Sequence, residues 1–278
     1  MVKRPYTICH MVSSVDGKID GSWFDMPEVG IPLKESGMIR NTYQCSATLF
    51  GATTMAETYA EGFVKNLPHA DITFSREDYI AHSEVDSYFV AIDPQGSIAY
   101  ADKYIEKRGR PKVHVIEVLL ESVSDDYLAY LRDLDISYIF TGKESLDAAL
   151  CMEKLNQLFG IKKLMICGGG IVDYTFLQAG LIDELSLVIV PLTDGATDVA
   201  TVFDRSPFVP ITQAIPFKLL KSKCCPATVS GCVINLRIQF ENKRRSLLCV
   251  RILERSPFCI PRPCLSSVPM TRTEILTL

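Results

Sequence analysis

The 278-residue sequence has no stretch of about 18 apolar residues, the length that a membrane-spanning helix requires. It contains only four histidines, at spacings that do not pair for a metal ion, and it has no Cys-x-x-Cys motif. It also lacks Gly-x-Ser-x-Gly, the motif that surrounds the nucleophile of many serine hydrolases. We therefore expect no membrane span, no metal site and no nucleophilic triad.

A strong excess of charge is lacking as well. The net charge is −4 and the pI is about 5.7, whereas a protein that binds the phosphate backbone of nucleic acids is usually basic. Hydrophobic residues make up 47% of the chain and charged residues 22%, which is typical of a globular protein and not of a disordered one. We therefore expect neither nucleic acid nor a membrane as partner.

The ten cysteines do not indicate a disulfide scaffold, because they are spread through a long chain. Several of them, such as Cys9, Cys151 and Cys167, lie in apolar segments, where a reduced cysteine behaves as a small hydrophobic residue. Near the amino terminus, polar residues such as Thr7 and His10 interrupt what would have to be the apolar core of a signal peptide. These features predict a cytoplasmic protein.

Strands alternate with helices through the middle of the sequence. Short apolar segments predict strands at residues 6–15, 47–51, 88–92, 113–119, 136–140, 163–167 and 185–190. The alternation favours a parallel sheet covered by helices on both faces, in one domain that spans residues 1–240. Two adjacent strands at 217–223 and 229–240 predict an antiparallel pair at the end of this domain.

The segment 241–278 differs from the rest. It holds seven Lys and Arg against three Asp and Glu, a charge of +4, which leaves residues 1–240 at −8. It has four prolines and no helical or alternating pattern. One interpretation is a poorly ordered or non-homologous extension, such as an altered reading frame would produce. The alternative is a basic tail that binds RNA or membranes.

The strongest local feature is the run Leu164–Val172, in which a buried strand leads through Gly168, Gly169 and Gly170 into a helix. Glycines let a ligand approach the backbone, and a helix start offers free N–H groups and a partial positive charge. The arrangement suits a phosphate or diphosphate group, although it is not the Gly-x-Gly-x-x-Gly motif of a Rossmann fold. A tight turn without a ligand is the alternative.

Two more strand-to-helix junctions have a similar form. At Gly51-Ala52-Thr53-Thr54, the hydroxyl groups of Thr53 and Thr54 either bind a second phosphate or cap their own helix. At the third junction Thr141 follows the strand at 136–140, and no upstream glycine of a P-loop is present. Because the carboxyl ends of parallel strands share one edge, we expect the three junctions to line one crevice that is long enough for a dinucleotide.

A polar segment after the first strand contains Ser14, Asp16 and Gly17. Asp16 either orients a polar heterocycle or takes part in proton transfer, or it simply bonds to its own backbone in an Asp-Gly turn. Trp23 and Phe24 follow, either as a surface that stacks on a flat substrate or as anchors of the loop.

In their order along the chain, these motifs resemble the dihydrofolate-reductase-like superfamily, and within it the C-terminal reductase domain of the bifunctional riboflavin-biosynthesis protein. The resemblance covers residues 5–240. It is carried by the segments 13–19, 51–54, 92–96, 168–170 and 179–185, which read SSVDGKI, GATT, IDPQG, GGG and AGLIDEL. The last two, which are closely linked, are the most specific.

The resemblance implies a three-layer α/β fold, with a mixed, mostly parallel sheet flanked by helices and an antiparallel C-terminal strand pair. It also implies NADPH as cofactor, a homodimer, and hydride transfer to a ribosylamino-pyrimidine phosphate whose sugar becomes a ribityl chain. Such chemistry requires that the substrate and cofactor be positioned against each other more than it requires a strong acid or base, since the cofactor carries the hydride.

The resemblance also assigns roles by position. The cofactor-binding residues would be Gly51, Thr53, Thr54, Asp93, Thr141, Gly168, Gly169, Gly170 and Ile171. The substrate-binding residues would be Ser14 and Gly17, with Asp16 as the catalytic residue.

The chain departs from the family pattern at two places in the site. Cys167 stands where the family usually has Glu before the three glycines. An Asp-Pro-x-Leu-Thr-Val-Arg segment tied to the substrate phosphate has no equivalent in residues 60–86, which offer only Arg76. The substrate is therefore either the riboflavin precursor or a related heterocycle. A reductase of another pterin-like or small carbonyl substrate and a non-catalytic nucleotide-binding paralogue are the alternatives.

Overall fold

The computed structural model describes residues 3–107, 110–206, 214–224 and 232–238. The strands in these ranges are β1 Tyr6–Ser13, β2 Ala47–Gly51, β3 Tyr88–Ile92, β4 Tyr104–Ile105, β5 Val113–Leu119, β6 Ser137–Phe140, β7 Lys163–Ile166, β8 Glu184–Ile189, β9 Phe217–Cys224 and β10 Cys232–Ile238. The α-helices are α1 Gly30–Tyr43, α2 Ala52–Thr58, α3 Asp125–Asp133, α4 Ala148–Phe159 and α5 Gly170–Gln178. Two short 3₁₀ helices, Ser22–Asp25 and Pro27–Val29, precede α1.

The strands form one sheet in the order β4-β5-β3-β2-β7-β1-β8-β10-β9, and β6 also pairs with β5. The strands β1, β2, β3, β5, β6, β7 and β8 run parallel to their neighbours within this group. The pairing is antiparallel between β8 and β10, between β10 and β9, and between β4 and β5. The expected mixed, mostly parallel sheet with an antiparallel C-terminal pair is therefore confirmed.

Helices bury both faces of this sheet. Successive residues of a strand point to opposite faces, so Leu49 of β2 packs in one apolar cluster and Phe50 in another. The cluster around Leu49 includes Phe176 of α5 as well as residues of α4. The cluster around Phe50 includes Met55 of α2 and Leu128 of α3. Burial on both sides explains why the central strands are continuously apolar in the sequence.

The predicted elements are mostly confirmed, with differences at their ends. α4 begins at Ala148, because the Asp147 side chain accepts a hydrogen bond from the Leu150 N–H (2.9 Å) and caps the helix. The two-residue strand β4 and the 3₁₀ helices were not predicted, since elements this short carry no periodic pattern.

Residues 241–278, for which the sequence predicts a separate basic tail, lie outside the described residues, so the domain boundary at residue 240 stays a prediction. No helix in the described part of the chain is long and apolar enough to cross a membrane.

The turn after β3 provides a test of the packing on the α2–α3 face. Gly96 has a φ of +68°, and a Cβ there would lie 2.5 Å from Val123 Cγ2 and closer still to the buried ring of Tyr127. We expect Gly96→Ala to lower the free energy of unfolding by about 2–4 kcal/mol, because backbone strain and overpacking add. Urea denaturation measures this change.

The matched control is Gly62→Ala. Gly62 has a similar φ of +87°, but no atom lies within 4 Å of the point that an added Cβ would occupy. This variant should lose only about 1–2 kcal/mol, the cost of the left-handed backbone. Equal losses in the two variants would contradict the packing explanation.

Candidate active site

A cleft of about 550 Å³ opens at the edge of the sheet where β2 and β7 end. Its walls come from the starts of α2 and α5, from the loop after β1 and from the segment near residue 200. Six of the predicted cofactor-binding residues line it, namely Gly51, Thr53, Thr54, Gly169, Gly170 and Ile171. Two of the three predicted junctions therefore do share one crevice.

Neither helix start in this cleft is capped by a side chain. The N-cap residue is Gly51 for α2 and Gly169 for α5, and no side chain bonds to either cap. The alternative in which Thr53 or Thr54 caps its own helix is therefore wrong, because both lie inside the first turn. In α5, the N–H groups of Gly169 to Ile171 have no acceptor among the described residues. These amides point a partial positive charge at the cleft.

The two junctions touch directly. The Gly51 N–H donates a hydrogen bond to the Gly168 carbonyl oxygen over 2.8 Å, and the Gly168–Gly169 peptide bond is cis. A Cβ on Gly51 would lie 3.0 Å from Val172 Cγ2. The glycine at the end of β2 thus lets the start of α5 approach closely, which brings both helix starts to one cavity.

The cleft is acidic in its side chains. Asp20, Glu57 and Asp204 line it, and its described lining includes neither Lys nor Arg. Asp204 also joins the segment near residue 200 to α5, since its N–H donates to the Gly170 carbonyl oxygen (3.0 Å) and its carboxylate accepts from the Thr201 N–H (2.8 Å). An anion in this cleft would be held by backbone N–H groups and not by a cationic side chain.

Asp173, which sequence analysis missed, lies fully buried beneath the glycine turn. Its Oδ1 accepts a hydrogen bond from the Gly168 N–H (3.2 Å), whereas Oδ2 has no partner among the described residues. Burial raises the pKa of this carboxyl well above its usual value, which favours the neutral form. The available signal was a single acidic residue inside the apolar helix GIVDYTFLQ.

The structure places the predicted substrate and catalytic residues in a tight turn after β1. The Ser14 hydroxyl is buried, donates to Asp16 Oδ1 (2.6 Å) and accepts from the Lys18 N–H (2.9 Å). The Gly17 N–H donates to the Ser14 carbonyl oxygen (3.0 Å). The Ser14 hydroxyl therefore orders the turn itself.

Asp16 links this turn to the segment after β8. Its Oδ2 accepts a hydrogen bond from the Gly195 N–H (2.8 Å) and its Oδ1 one from the Asp194 N–H (3.2 Å). Together with the Ser14 hydroxyl, the largest influence, these donors lower the pKa of the Asp16 carboxyl well below its usual value. Asp16 is therefore held ionised at neutral pH, which argues against its donating a proton and favours a positioning role.

Two predicted cofactor contacts lie elsewhere, and here the structure corrects the sequence. The Asp93 carboxylate is 1% exposed and accepts hydrogen bonds from the Ser97 N–H (2.5 Å) and the Ile98 N–H (3.0 Å), so it fixes its own turn. Thr141 is fully buried at the end of β6, and its N–H donates to the Leu119 carbonyl oxygen (3.0 Å). β6 is separated from β2 by β5 and β3, which places the third junction away from the cleft.

Trp23 and Phe24, the two aromatic residues after the first turn, have different roles. Trp23 is 3% exposed and its Nε1–H donates to the Asp20 carbonyl oxygen (2.7 Å), so it anchors the loop. Phe24 stacks on Trp23 with ring centroids 4.0 Å apart and lines the cleft. An aromatic surface is thus presented to any flat ligand.

Residues 5–229 match the family model of the RibD C-terminal domain. The chain belongs to this family. A curated 2,5-diamino-6-ribosylamino-4(3H)-pyrimidinone 5′-phosphate reductase of Methanothermobacter thermautotrophicus is 31% identical over 102 residues, which cover 37% of this chain and 46% of that relative. The match thus spans about half the length of the curated relative.

Solved structures of similar fold include RibD of Acinetobacter baumannii, with a TM-score of 0.52 and 17% identity over 85% of this chain and 58% of that one. A pyrimidine reductase-like protein of Corynebacterium diphtheriae aligns with a TM-score of 0.59 and 14% identity, covering 85% of this chain and 93% of the other. The riboflavin biosynthesis reductase of Saccharomyces cerevisiae aligns with a TM-score of 0.54 and 14% identity, covering 85% of this chain and 90% of the other. The expected dihydrofolate-reductase-like fold is confirmed.

The buried carboxyl of Asp173 predicts a pH dependence of stability. In the folded protein the Asp173 carboxyl keeps its proton at a pH where the unfolded chain has released it. The free energy of unfolding therefore falls as the pH rises from about 4, the ordinary carboxyl pKa, to the raised pKa of the folded state. We expect Asp173→Asn, which is neutral at every pH, to reduce this fall. Urea denaturation at several pH values measures it.

Glu117, whose pKa burial also raises, is present in both proteins, so the difference between their pH profiles isolates Asp173. Parallel profiles for wild type and Asp173→Asn would show that Asp173 does not titrate as its burial requires.

Proposed function

We propose that the chain is an NADPH-dependent reductase that transfers a hydride to a ribosylamino-pyrimidine phosphate of riboflavin biosynthesis or to a related heterocycle. One observation carries the proposal: two uncapped helix starts, at Gly51 and Gly169, face one cleft in a member of the RibD C-terminal domain family. The name of the Methanothermobacter relative supports the reaction class, and the names of the similar structures point to the same pathway.

The cleft fits a dinucleotide through its backbone. The free N–H groups of Gly169 to Ile171 would bind the diphosphate, and Gly168 would hold the turn through its bonds to Gly51 and Asp173. The hydroxyl groups of Thr53 and Thr54 would bind the adenosine side. Since no Lys or Arg belongs to the described lining, these amides supply the attraction for the diphosphate, and acidic side chains oppose it.

A bound nicotinamide supplies the hydride, and the residues of this chain position the reactants. Ile19 and Phe24 give the cleft an apolar wall against which a flat ring packs and from which water is excluded. Asp16 orders the loop that carries them by holding Asp194 and Gly195. Because Asp16 is held ionised, the proton that accompanies the hydride comes from another donor, such as solvent.

The substrate assignment rests on the named relatives and on the resemblance of the motifs. The homodimer and the cytoplasmic location that the sequence predicts belong to the same proposal. Steady-state oxidation of NADPH with the ribosylamino-pyrimidine phosphate, and with a panel of pterins and small carbonyl compounds, tests the substrate. Turnover with compounds of the panel alone would contradict the assignment of the riboflavin precursor as substrate. Cofactor binding without any turnover would identify a non-catalytic paralogue.

The cofactor site is tested by Gly169→Asp. We expect this variant to lose NADPH and NADH binding, because it places a carboxylate against the diphosphate at the start of α5. Quenching of Trp23 fluorescence measures both affinities, since Trp23 is the sole tryptophan and stacks on Phe24 in the wall of the cleft.

Gly30→Asp is the matched control. It adds the same charge at an exposed position outside the cleft, where no atom lies within 4 Å of the added Cβ. It should bind both dinucleotides like the wild type. Unchanged affinity in Gly169→Asp would remove the α5 start from the cofactor site.

A further inference from the structure

The carboxyl group of Asp173 lies directly beneath the glycine turn of the proposed cofactor site, and the proposed mechanism gives no role to its proton. Asp173 stands in the first turn of α5 and is 0% exposed. Its N–H donates to the Gly169 carbonyl oxygen (3.1 Å), and its Oδ1 accepts a hydrogen bond from the Gly168 N–H (3.2 Å). One residue therefore bonds twice to the turn at which the free amides of α5 begin.

The hydrogen bond to the Gly168 N–H fixes the turn from below. Gly168 has a φ of +87°, and its carbonyl oxygen accepts a hydrogen bond from the Gly51 N–H (2.8 Å). Both polar groups of its backbone are therefore held, the N–H by α5 and the carbonyl by the end of β2. Because the next amides follow directly in the chain, Asp173 helps to set the direction in which the N–H groups of Gly169 and Gly170 point.

The second oxygen of the Asp173 carboxyl has surroundings that disfavour a charge. Oδ2 has no hydrogen-bond partner among the described residues. Phe176 and Leu177, on the same helix, are buried as well. An ionised carboxylate in such a place would lack the donors that compensate the loss of water, whereas a protonated one carries no charge. The burial and the missing donor therefore both favour the neutral form of Asp173.

Three titratable groups of the described chain act on Asp173 from the elements around it. Burial is the largest influence and raises its pKa, and the charge of Asp204 raises it too. The hydrogen bonds from the Gly168 N–H and from the Cys9 thiol of β1 lower it. The Cys167 thiol, after β7, also interacts with this carboxyl.

The two thiols do not add charge near neutral pH. Burial raises the pKa of Cys9 well above its usual value and that of Cys167 to about 12. Asp204 is therefore the group among these three whose charge acts on Asp173, and it opposes ionisation.

The charge of Asp173 matters for the cleft because this residue lies at the positive end of α5. A negative side chain in the first turn of a helix interacts with the same partial positive charge that would attract a diphosphate. A carboxylate and a diphosphate also repel each other, and the repulsion is strong where water is excluded. An ionised Asp173 would therefore weaken anion binding, whereas a protonated Asp173 leaves the start of the helix to the ligand.

We propose that Asp173 is a positioning residue that carries a proton when the dinucleotide binds, so that cofactor binding and protonation of this buried carboxyl are linked. It acts through the Gly168 N–H and does not touch the cofactor. The inference rests on the proposed function for the presence of a dinucleotide at the start of α5. By the same linkage, a bound diphosphate raises the pKa of Asp173 further.

The affinity of the full chain for NADH, measured by quenching of Trp23 fluorescence from about pH 6 to about pH 9, tests the linkage. NADH is the probe because its diphosphate keeps the same charge over this range, whereas a phosphate monoester such as that of NADPH has a pKa of about 6. The complex keeps the proton that the free protein loses as the pH rises. Wild-type affinity should therefore fall roughly tenfold as the pH rises through the raised pKa of the free protein.

Two substitutions separate the proton from the hydrogen bond. Asp173→Asn keeps an oxygen for the Gly168 N–H and is neutral at every pH, so it should bind NADH as tightly as the wild type does at low pH, with a flat profile. Asp173→Leu removes the acceptor too, and it should bind roughly tenfold more weakly than Asp173→Asn at every pH. Rescue by Asn and not by Leu distinguishes positioning from packing.

Glu117→Gln is the matched control. Glu117 is a fully buried carboxyl on β5 whose Oε2 also lacks a partner among the described residues, and burial raises its pKa as well. It does not line the cleft, so this variant should follow the wild-type profile. Circular dichroism establishes that each variant is folded.

Calorimetric titration with NADH in two buffers of different ionisation enthalpy gives a second readout. The wild type should take up protons as NADH binds, at the pH where its affinity falls, whereas Asp173→Asn should take up none. A residue that only fills space would leave this proton count unchanged.

The outcomes separate this inference from the proposed function. A wild-type affinity that does not change with pH, or the same pH dependence in wild type and Asp173→Asn, would overturn the linkage and leave the reductase standing. Loss of NADH binding in a folded Asp173→Asn would show that the ionised form is required, which overturns it as well. A wild type that binds neither NADH nor NADPH would contradict the proposed function, and the linkage with it.

Discussion

The hydrogen bond between the Gly51 N–H and the Gly168 carbonyl oxygen, 2.8 Å long, is the contact on which the candidate cofactor site depends. It joins the ends of two neighbouring parallel strands, β2 and β7, each of which continues into a helix. Because β2 and β7 leave the sheet at the same edge, the helices that follow them both start at one cavity, with uncapped backbone amides. A side chain at position 51 would meet Val172 and push these starts apart.

The side chains that line the two clefts of the molecule carry opposite charge. In the first, acidic side chains line the opening, and the backbone N–H groups at the start of α5 are the donors that face it. In the second, at the amino ends of β2, β3 and β5, Arg40 and Arg110 contribute positive charge, and three aromatic rings pack around Arg110. Backbone amides are oriented by the helix and cannot move away, whereas an arginine needs packing to hold its position.

The buried groups around the glycine turn explain how the turn keeps its shape. Asp173 accepts a bond from the Gly168 N–H within an apolar helix, and burial favours its neutral form. On the other side, Asp204 joins the segment near residue 200 to Gly170. The exposed and ionised carboxylate of Asp16 accepts hydrogen bonds from the Asp194 and Gly195 N–H groups and so joins the turn after β1 to the segment after β8. Three carboxyl groups in three environments therefore position the loops; burial raises the pKa of Asp173, and hydrogen bonding lowers that of Asp16.

The sequence by itself determined the order of the longer strands and helices, the mostly parallel sheet and the two glycine junctions at Gly51 and Gly168, because hydrophobic periodicity and glycine placement are local signals. It did not determine that Asp93 and Thr141 serve their own turns, since whether a side chain is buried depends on residues distant in the chain. Nor did it reveal Asp173, Asp204 or the pairing of Arg40 with Arg110, 70 positions apart along the chain. Only the tertiary structure decided these, because the strand order and the packing of α1 and α2 on one face of the sheet bring together charges that no sequence spacing connects.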